Sequence, residues 1–391
     1  MKVTIIGAAG IQAQGVIRDL ATSPEVEEIV LADLEKTRAV LEERSKAWGE
    51  NKSKVAIVDV NDAKNLRNVI GGSTVVANCT SHVFNLKIMS ACYDEGCHYT
   101  DLGGLFHWYR KQVKEHEKWE KKGISAVLGM GTAPGITNVL ARAAADRLDT
   151  VEYLHLRDGI ANYAKSDFPL AVPYAVGTIL QEFSDNCFIF ENGDWKEVPP
   201  FSQPEKIDFP EPVGTMNVYA TIHSEVASIP ESYRSKGIKH MSFKLGLPTD
   251  FEQKFRFLAG LGFASEKVLD VKGAKVSPRD FFTAFAETFP KPPGKPQDYK
   301  CIRVDAKGVK NNVTLLLQTE VMCFPCEKWN MKTGPYSVGV PVGITCRMLG
   351  KGEIEGHGCM PAERCVPADL FLEYLAKRDM HSTIKITSPL S

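Results

Sequence analysis

The chain has 391 residues, 43% of them hydrophobic and 24% charged, which is enough apolar material for two domains with separate cores and too much for a disordered chain. Its 47 basic and 48 acidic residues leave a net charge of −1, which speaks against nucleic acid and against an anionic membrane surface as partners. No apolar run reaches the ~20 residues needed to span a bilayer. The chain also enters a strand at once rather than a signal sequence, so a cytoplasmic protein is expected. The ten cysteines follow no regular spacing and read as reduced core residues. Cys323-Phe-Pro-Cys326 has no second pair nearby and reads as a strand end with a turn, so no metal site is expected.

Residues 1–6 form a short apolar run suited to a buried parallel strand. The run ends in Gly7-Ala-Ala-Gly10-Ile11-Gln12-Ala13, and a helical pattern follows over 14–22. Strand, glycine turn and helix together make a turn whose backbone N–H groups face a pyrophosphate at the positive end of the helix. A second strand over 28–32 ends at Asp33, 26 residues after Gly7, where an acidic residue accepts the adenosine ribose hydroxyls. A carboxylate there repels a 2′-phosphate, so NAD is the expected cofactor; Lys36 and Arg38 keep NADP open. Further strands are expected over 55–60, 73–78, 98–102 and 125–128. Between them lie helices over 62–68, 84–95 and 108–122, and another helix runs on to about 147. This alternation is that of a doubly wound Rossmann sheet.

The pattern then changes to a mixed or antiparallel α+β region. Strands are expected over 151–157, 218–223, 240–245, 301–306 and 313–323, and helices over 174–184, 250–261 and 277–289. Residues 202–214 read as a surface loop, and the proline-rich 289–296 as a rigid connection. Residues 336–349 read as an apolar helix that returns to the nucleotide domain. The expected division is therefore a Rossmann domain over 1–133, a catalytic and dimerisation domain over 134–335, and a returning segment over 336–391.

In an open parallel sheet the ligand lies beyond the carboxyl ends of the strands. That rule selects Gly7, Ala9, Gly10, Ile11, Gln12, Asp33, Asp59, Val60, Asn78, Cys79, Thr80, Gly131 and Pro134 as cofactor contacts. Asp59 reads equally as an adenine neighbour or a helix cap. Cys79 reads as a spacer beneath the nicotinamide rather than a thioester-forming nucleophile. His82, Gly103, Gly104, Asn138 and Arg234 are the candidates for holding substrate. Asp101, at a strand end before two glycines, is either a base or ammonium anchor, or an acceptor for the turn. His223 and Glu225 lie two apart on an expected extended segment and so point to one side as an acid/base pair. Lys239 and Arg157-Asp158-Gly159 are weaker candidates, and Gly356-His-Gly358 reads as a turn.

The stretches Tyr99-Thr-Asp-Leu-Gly-Gly104 and Gly129-Met-Gly-Thr-Ala-Pro-Gly-Ile-Thr-Asn138, with Asn78 and Phe84-Asn85, resemble the saccharopine dehydrogenase family, and within it the lysine 6-dehydrogenase branch. The run from Gly350 through Pro361-Ala-Glu363 to Leu375 is similar to that family's ending. The resemblance implies a nicotinamide-dependent oxidation of a C–N bond in a lysine-derived amine or amino acid, in a homodimer or larger assembly. Lysine would give its 6-semialdehyde. The alternatives are a saccharopine or carboxy-polyamine dehydrogenase, which calls for more than one arginine in the cleft, and a nucleotide-binding sensor without turnover.

Overall fold

The computed structural model describes residues 1–49, 51–165, 168, 170, 172, 176–290 and 294–388. Strand β1 (Lys2–Ile6) carries Val3, Thr4, Ile5 and Ile6, β-branched side chains that suit a strand covered on both faces. The glycine turn and the helix Ala13–Ala21 follow. Then come β2 (Glu28–Asp33), β3 (Ser53–Ile57), β4 (Val75–Asn78), β5 (His98–Asp101) and β6 (Ser125–Leu128). They pair in parallel in the order β3-β2-β1-β4-β5-β6. This is the doubly wound order, and its direction reverses between β1 and β4, which opens a ligand crevice at their carboxyl ends. The expected Rossmann sheet is therefore present, with two differences. The third strand stops at Ile57, so Asp59 and Val60 lie in the turn beyond it. The charged helix expected over 108–122 is two helices, Phe106–Gln112 and His116–Lys122.

The helix Ile136–Ala145 leaves the end of β6 and is apolar nearly all round, which suits its place against both β7 and β15 of the second sheet. That sheet contains β7 (Thr150–Asn162), β8 (Cys187–Glu191), β9 (Asp194–Val198), β10 (Ser202–Asp208), β11 (Thr215–Ala220) and β12 (His240–Gly246). A small hairpin of β13 (Leu269–Val271) and β14 (Ala274–Val276) stands apart, and β15 (Asp298–Lys310) and β16 (Val313–Cys323) complete the body of the sheet. Strands β12 and β7 run parallel, while β11 with β12, β7 with β15, and β15 with β16 run antiparallel. The loop expected over 202–214 is in fact β10 paired with β11, followed by a turn. Its Pro204 sits at the edge of the sheet, where a missing N–H costs no ladder bond. The strand expected over 218–223 ends at Ala220. Residues 174–175 of the expected 174–184 helix and 291–293 of the proline-rich connection lie outside the described residues; the helix is seen as Val176–Ser184.

The helix expected over 336–349 is Thr333–Lys351 and returns to the Rossmann domain. It crosses Ala13–Ala21 at a glycine pair: a Cβ on Gly15 would lie 2.9 Å from Gly339 Cα and 2.3 Å from Pro335 O. Arg347 and Arg378 both reach the buried Asp19 on the crossed helix, at 3.3 and 2.7 Å. Strands β8, β9, β13 and β14 go beyond the sequence expectation, and so do two strands near the C-terminal end. Gly358 opens β17 (Gly358–Pro361), which adds in parallel to β6 as a seventh strand. β18 (Ser382–Thr387) pairs antiparallel with β16. Four residues as irregular as Gly-Cys-Met-Pro carry no periodicity that marks a strand.

Candidate active site

The glycine turn is gripped from two sides. Asp33 Oδ2 accepts from Ala9 N at 2.9 Å, and Asp33 Oδ1 accepts from Leu34 N at 2.8 Å. Opposite it, Arg44 Nη1 donates to the carbonyls of Ala8 and Gly10 at 2.6 and 2.8 Å. Gly7 has φ +79°, and a Cβ there would stand 2.8 Å from the carbonyl carbon of Cys79. The turn therefore packs directly on the segment 78–80 after β4, as the strand-edge rule requires. The turn's narrow cradle, the helix start behind it and the carboxylate of Asp33 fit a dinucleotide. Arg44 lies outside the sequence-derived set. Its only signal is a cation placed three residues after the buried Leu41, on the inner stripe of the helix Arg38–Trp48.

Asp59 accepts from Asn61 N and stands exposed in its turn, while the neighbouring Asp62 caps the helix Ala63–Ile70. Burial of the Cys79 thiol, helped by the fields of Asp101 and Asp33, pushes it up to about 12, which disfavours the thiolate a nucleophile needs.

Behind the crevice five side chains form a closed ring of hydrogen bonds. Asn78 donates to Asn85 (2.8 Å) and Tyr99 (3.0 Å), and Asn85 donates to Gln112 (3.2 Å). Gln112 and Tyr99 then both donate to Asp101 Oδ2, at 2.7 and 3.0 Å. Asp101 Oδ1 accepts from Gly103 N and Gly129 N, at 2.9 and 2.8 Å. With four donors on its two oxygens and 1% exposure, Asp101 has no lone pair left for a substrate. Burial pushes its carboxyl up against the pull of those bonds. Of the two readings of Asp101, the geometry favours the acceptor for the turn, which ties the ends of β5 and β6 together. Gly103 and Gly104 serve the same packing. A Cβ on Gly103 would meet Pro134 Cγ at 2.5 Å, and one on Gly104 would meet Trp108 Cβ at 2.9 Å.

After β6, Gly131 and Gly135 close on each other around Pro134, and Gly135 caps the helix Ile136–Ala145 with φ +128°. Asn138 Oδ1 accepts from Gly135 N, and its Nδ2 donates to the buried Glu363 at 2.7 Å. Asn138 therefore braces the loop from inside instead of facing a substrate.

Several titratable groups gather in a buried cluster where the inner face of the second sheet meets the start of this helix. His223 and Glu225 are not on a strand. Residues 221–223 form a loop, and Glu225 is the first residue of the helix Glu225–Ser232. They still meet: His223 Nδ1 lies 3.1 Å from Glu225 Oε2. Glu225 is 0% exposed, and its Oε1 accepts from Thr137 Oγ1 at 2.9 Å. The His223 ring stacks on Phe243 of β12 with centroids 3.6 Å apart. Its Nε2 looks toward Glu182 Oε1 at 3.9 Å. Burial alone would lower the imidazole, but Glu225, Glu182 and Asp158 together raise it above its ordinary value. Asp158 and Lys300 lie on the same sheet face, with Nζ 3.4 Å from Oδ2.

Alternation along β7 turns Arg157 to the opposite face, where it donates to Glu205 at 2.6 Å. Arg234 is 59% exposed and pairs with Glu231 on the surface, so it does not join this cluster. His82 does border the crevice: its ring meets Trp108 at 5.5 Å, and burial lowers its pKa against the field of Asp185. Lys300 and Glu182 are also absent from the sequence-derived set. Each is a charge in line with apolar residues, Lys300 with Ile302 and Val304, and Glu182 with Ile179 and Phe183.

Comparison with known proteins agrees with this architecture. Residues 3–127 match the saccharopine dehydrogenase NADP binding domain and residues 131–380 match the saccharopine dehydrogenase C-terminal domain. The chain belongs to the saccharopine dehydrogenase family and is an NAD(P)-dependent oxidoreductase. Among curated relatives, carboxyaminopropylagmatine dehydrogenase of Synechocystis is 24% identical over 96% of this chain and 95% of its own length. Carboxynorspermidine synthase of Vibrio alginolyticus is 26% identical over 76% of this chain and 74% of its own. In structure, saccharopine dehydrogenase (L-Glu forming) from Saccharomyces cerevisiae superposes with a TM-score of 0.76 at 16% identity, covering 99% of both chains. Homospermidine synthase from Legionella pneumophila, solved with NAD, gives a TM-score of 0.69 at 9% identity over 99% of this chain and 91% of its own.

Proposed function

We propose that the protein is an NAD-dependent dehydrogenase of the carboxy-polyamine kind, joining or splitting a secondary amine between an aldehyde-derived carbon and a cationic amine. The observation that carries this reading is the charge around His223. Glu182, Glu225 and Asp158 surround it, while Arg157 and Arg234, the arginines expected of a saccharopine or carboxy-polyamine enzyme, point elsewhere. That departs from the expectation for both substrates, and it weighs more against saccharopine, whose three carboxylates need more cations than a substrate with one. The acidic surroundings favour a substrate with several ammonium groups. The names of the curated relatives support the same substrate class. Asp33 supports NAD over NADP.

The nicotinamide supplies a hydride to, or takes one from, the carbon bearing nitrogen. The chain's own residues manage the proton and the water. In the oxidative direction the substrate enters as ammonium and must lose a proton before hydride can leave its carbon. His223 Nε2 takes that proton, with Nδ1 held against Glu225 so that the ring keeps one tautomer and one orientation. Hydride loss leaves a C=N bond, and water adds to release aldehyde and amine. In reverse, amine and aldehyde condense with loss of water, the C=N carbon receives hydride, and His223 returns the proton to nitrogen. Thr137 fixes Glu225, and Phe243 fixes the plane of the imidazole.

The test is nicotinamide absorbance with NAD or NADP against a carboxy-polyamine, saccharopine and L-lysine. Turnover with the carboxy-polyamine and NAD supports the proposal. Turnover with L-lysine alone would return the chain to the lysine-deaminating branch, and turnover with saccharopine alone would refute the charge argument.

A further inference from the structure

Lys300 takes no part in the proton chemistry of His223, and Asp158 acts on that ring only through its charge, yet both lie on the inner face of the second sheet beside it. Lys300 is a cation on β15, followed on the same face by Ile302 and Val304. Asp158 is 3% exposed. Its Oδ2 faces Lys300 at 3.4 Å, while Oδ1 is buried without a hydrogen-bond partner among the described residues. A buried ion pair is weak support for stability, and leaving one of its oxygens without a donor adds cost. The two charges lie side by side on the register diagonal between β7 and β15.

We propose that Lys300 and Asp158 dock an α-amino-acid head group, Lys300 Nζ taking its carboxylate and Asp158 Oδ1 its ammonium. This rests on the amine-dehydrogenase reading of the cluster and adds to it a direction for the substrate. The zwitterionic end sits on the sheet floor, the reacting nitrogen lies at His223, and a cationic tail extends toward Glu182. A bare polyamine end would meet the repelling charge of Lys300, and a plain dicarboxylate would meet Asp158. The mould therefore selects carboxylate and ammonium on one carbon. Exchanging the internal pair for two external ones keeps every charge partnered.

The experiment is calorimetric titration of the protein saturated with NADH, using L-ornithine and putrescine, which differ by one carboxylate. The wild type should bind ornithine more tightly by about tenfold or more, the worth of one charge-assisted hydrogen bond. Lys300→Met should bring ornithine down to the affinity of putrescine while leaving NADH binding intact, and Lys300→Arg should keep the preference. Equal affinities in the wild type would overturn the proposal whether or not any variant folds. A preference that survives in Lys300→Met would do the same. If the ornithine preference holds but no carboxy-polyamine turns over, the head-group site stands and the reaction assignment fails. Turnover without any preference means the converse: the reaction assignment stands and the head-group site fails.

Discussion

Glu225 is clamped between two partners, Thr137 Oγ1 at 2.9 Å and His223 Nδ1 at 3.1 Å, so a single buried carboxylate links the loop after β6 to the imidazole of the second domain. The imidazole proposed to handle the proton is thereby tied to the first turn of the helix that follows β6, although Thr137 and His223 lie 86 positions apart.

Since His223 is raised above its ordinary value of 6.5, the neutral ring that accepts a proton dominates only at higher pH. Oxidative turnover should climb with pH through a limb above 6.5. Glu225→Gln removes a raising charge, so the limb should move to lower pH as the plateau falls. His223→Ala should cost about 10²–10⁴-fold in kcat. In stability the sign runs the other way. The ion pair contributes fully below the unfolded histidine value and is lost as pH rises through the higher folded one. Wild-type pH–rate profiles that match those of Glu225→Gln would remove Glu225 from the mechanism.

Asp101→Asn should act as a folding variant. Its amide nitrogen would face donors where the carboxylate accepted them, and about 2–4 kcal/mol of stability should be lost. Urea melts measure the loss. A variant with an unchanged midpoint and no turnover would restore Asp101 to the chemistry.

Gly15→Val should open the crossing between Ala13–Ala21 and Thr333–Lys351, because the added Cβ would lie 2.3 Å from Pro335 O. A loss of about 2–3 kcal/mol is expected from overpacking. NADH affinity should weaken with it, since the same helix carries the glycine turn. Thermal melting with and without NADH separates the two effects.

Asp33→Ser should weaken NADH by about tenfold and shift the ratio of affinities toward NADPH, as a ribose acceptor and a repelling charge are removed together. Fluorescence titration with both cofactors reads the ratio. An unaltered ratio would place the ribose elsewhere.

Cys79→Ser should keep turnover, and iodoacetamide near neutral pH should leave NADH affinity unchanged, because a thiol at about 12 offers almost no thiolate. Alkylation of Cys79 that tracks loss of turnover would reopen thioester chemistry.

Six of the seven strands of the parallel sheet are legible in the sequence because each is a short run closed by a turn residue and followed by a helix, a local signal repeated along the first third of the chain. Gly7, Asp33 and the segment 78–80 follow from the same rule, which depends on strand ends alone. The His223–Glu225 pair is legible too, though for the wrong local reason. A spacing of two matters on a strand, and here a loop and a helix start bring the groups together. Asp101 misleads because a carboxylate at a strand end looks alike in sequence whether four donors surround it or none. β10 is hidden by Pro204 and the acidic residues around it, and β17 by its lack of period.

By itself the sequence determined the order of strands and helices through the first 147 residues, the glycine turn with its acidic partner, and the family signature around Tyr99–Asn138. These are local patterns, set by backbone sterics and by the period of apolar side chains. Tertiary structure alone decided which charged groups share a space. It placed Lys300 beside Asp158, Glu182 before His223 and Arg44 under the turn, and it turned Arg157 and Arg234 away. The physical reason is that a charge's role depends on the partners and solvent within a few ångströms of it. For these groups, those neighbours come from segments tens to hundreds of residues away.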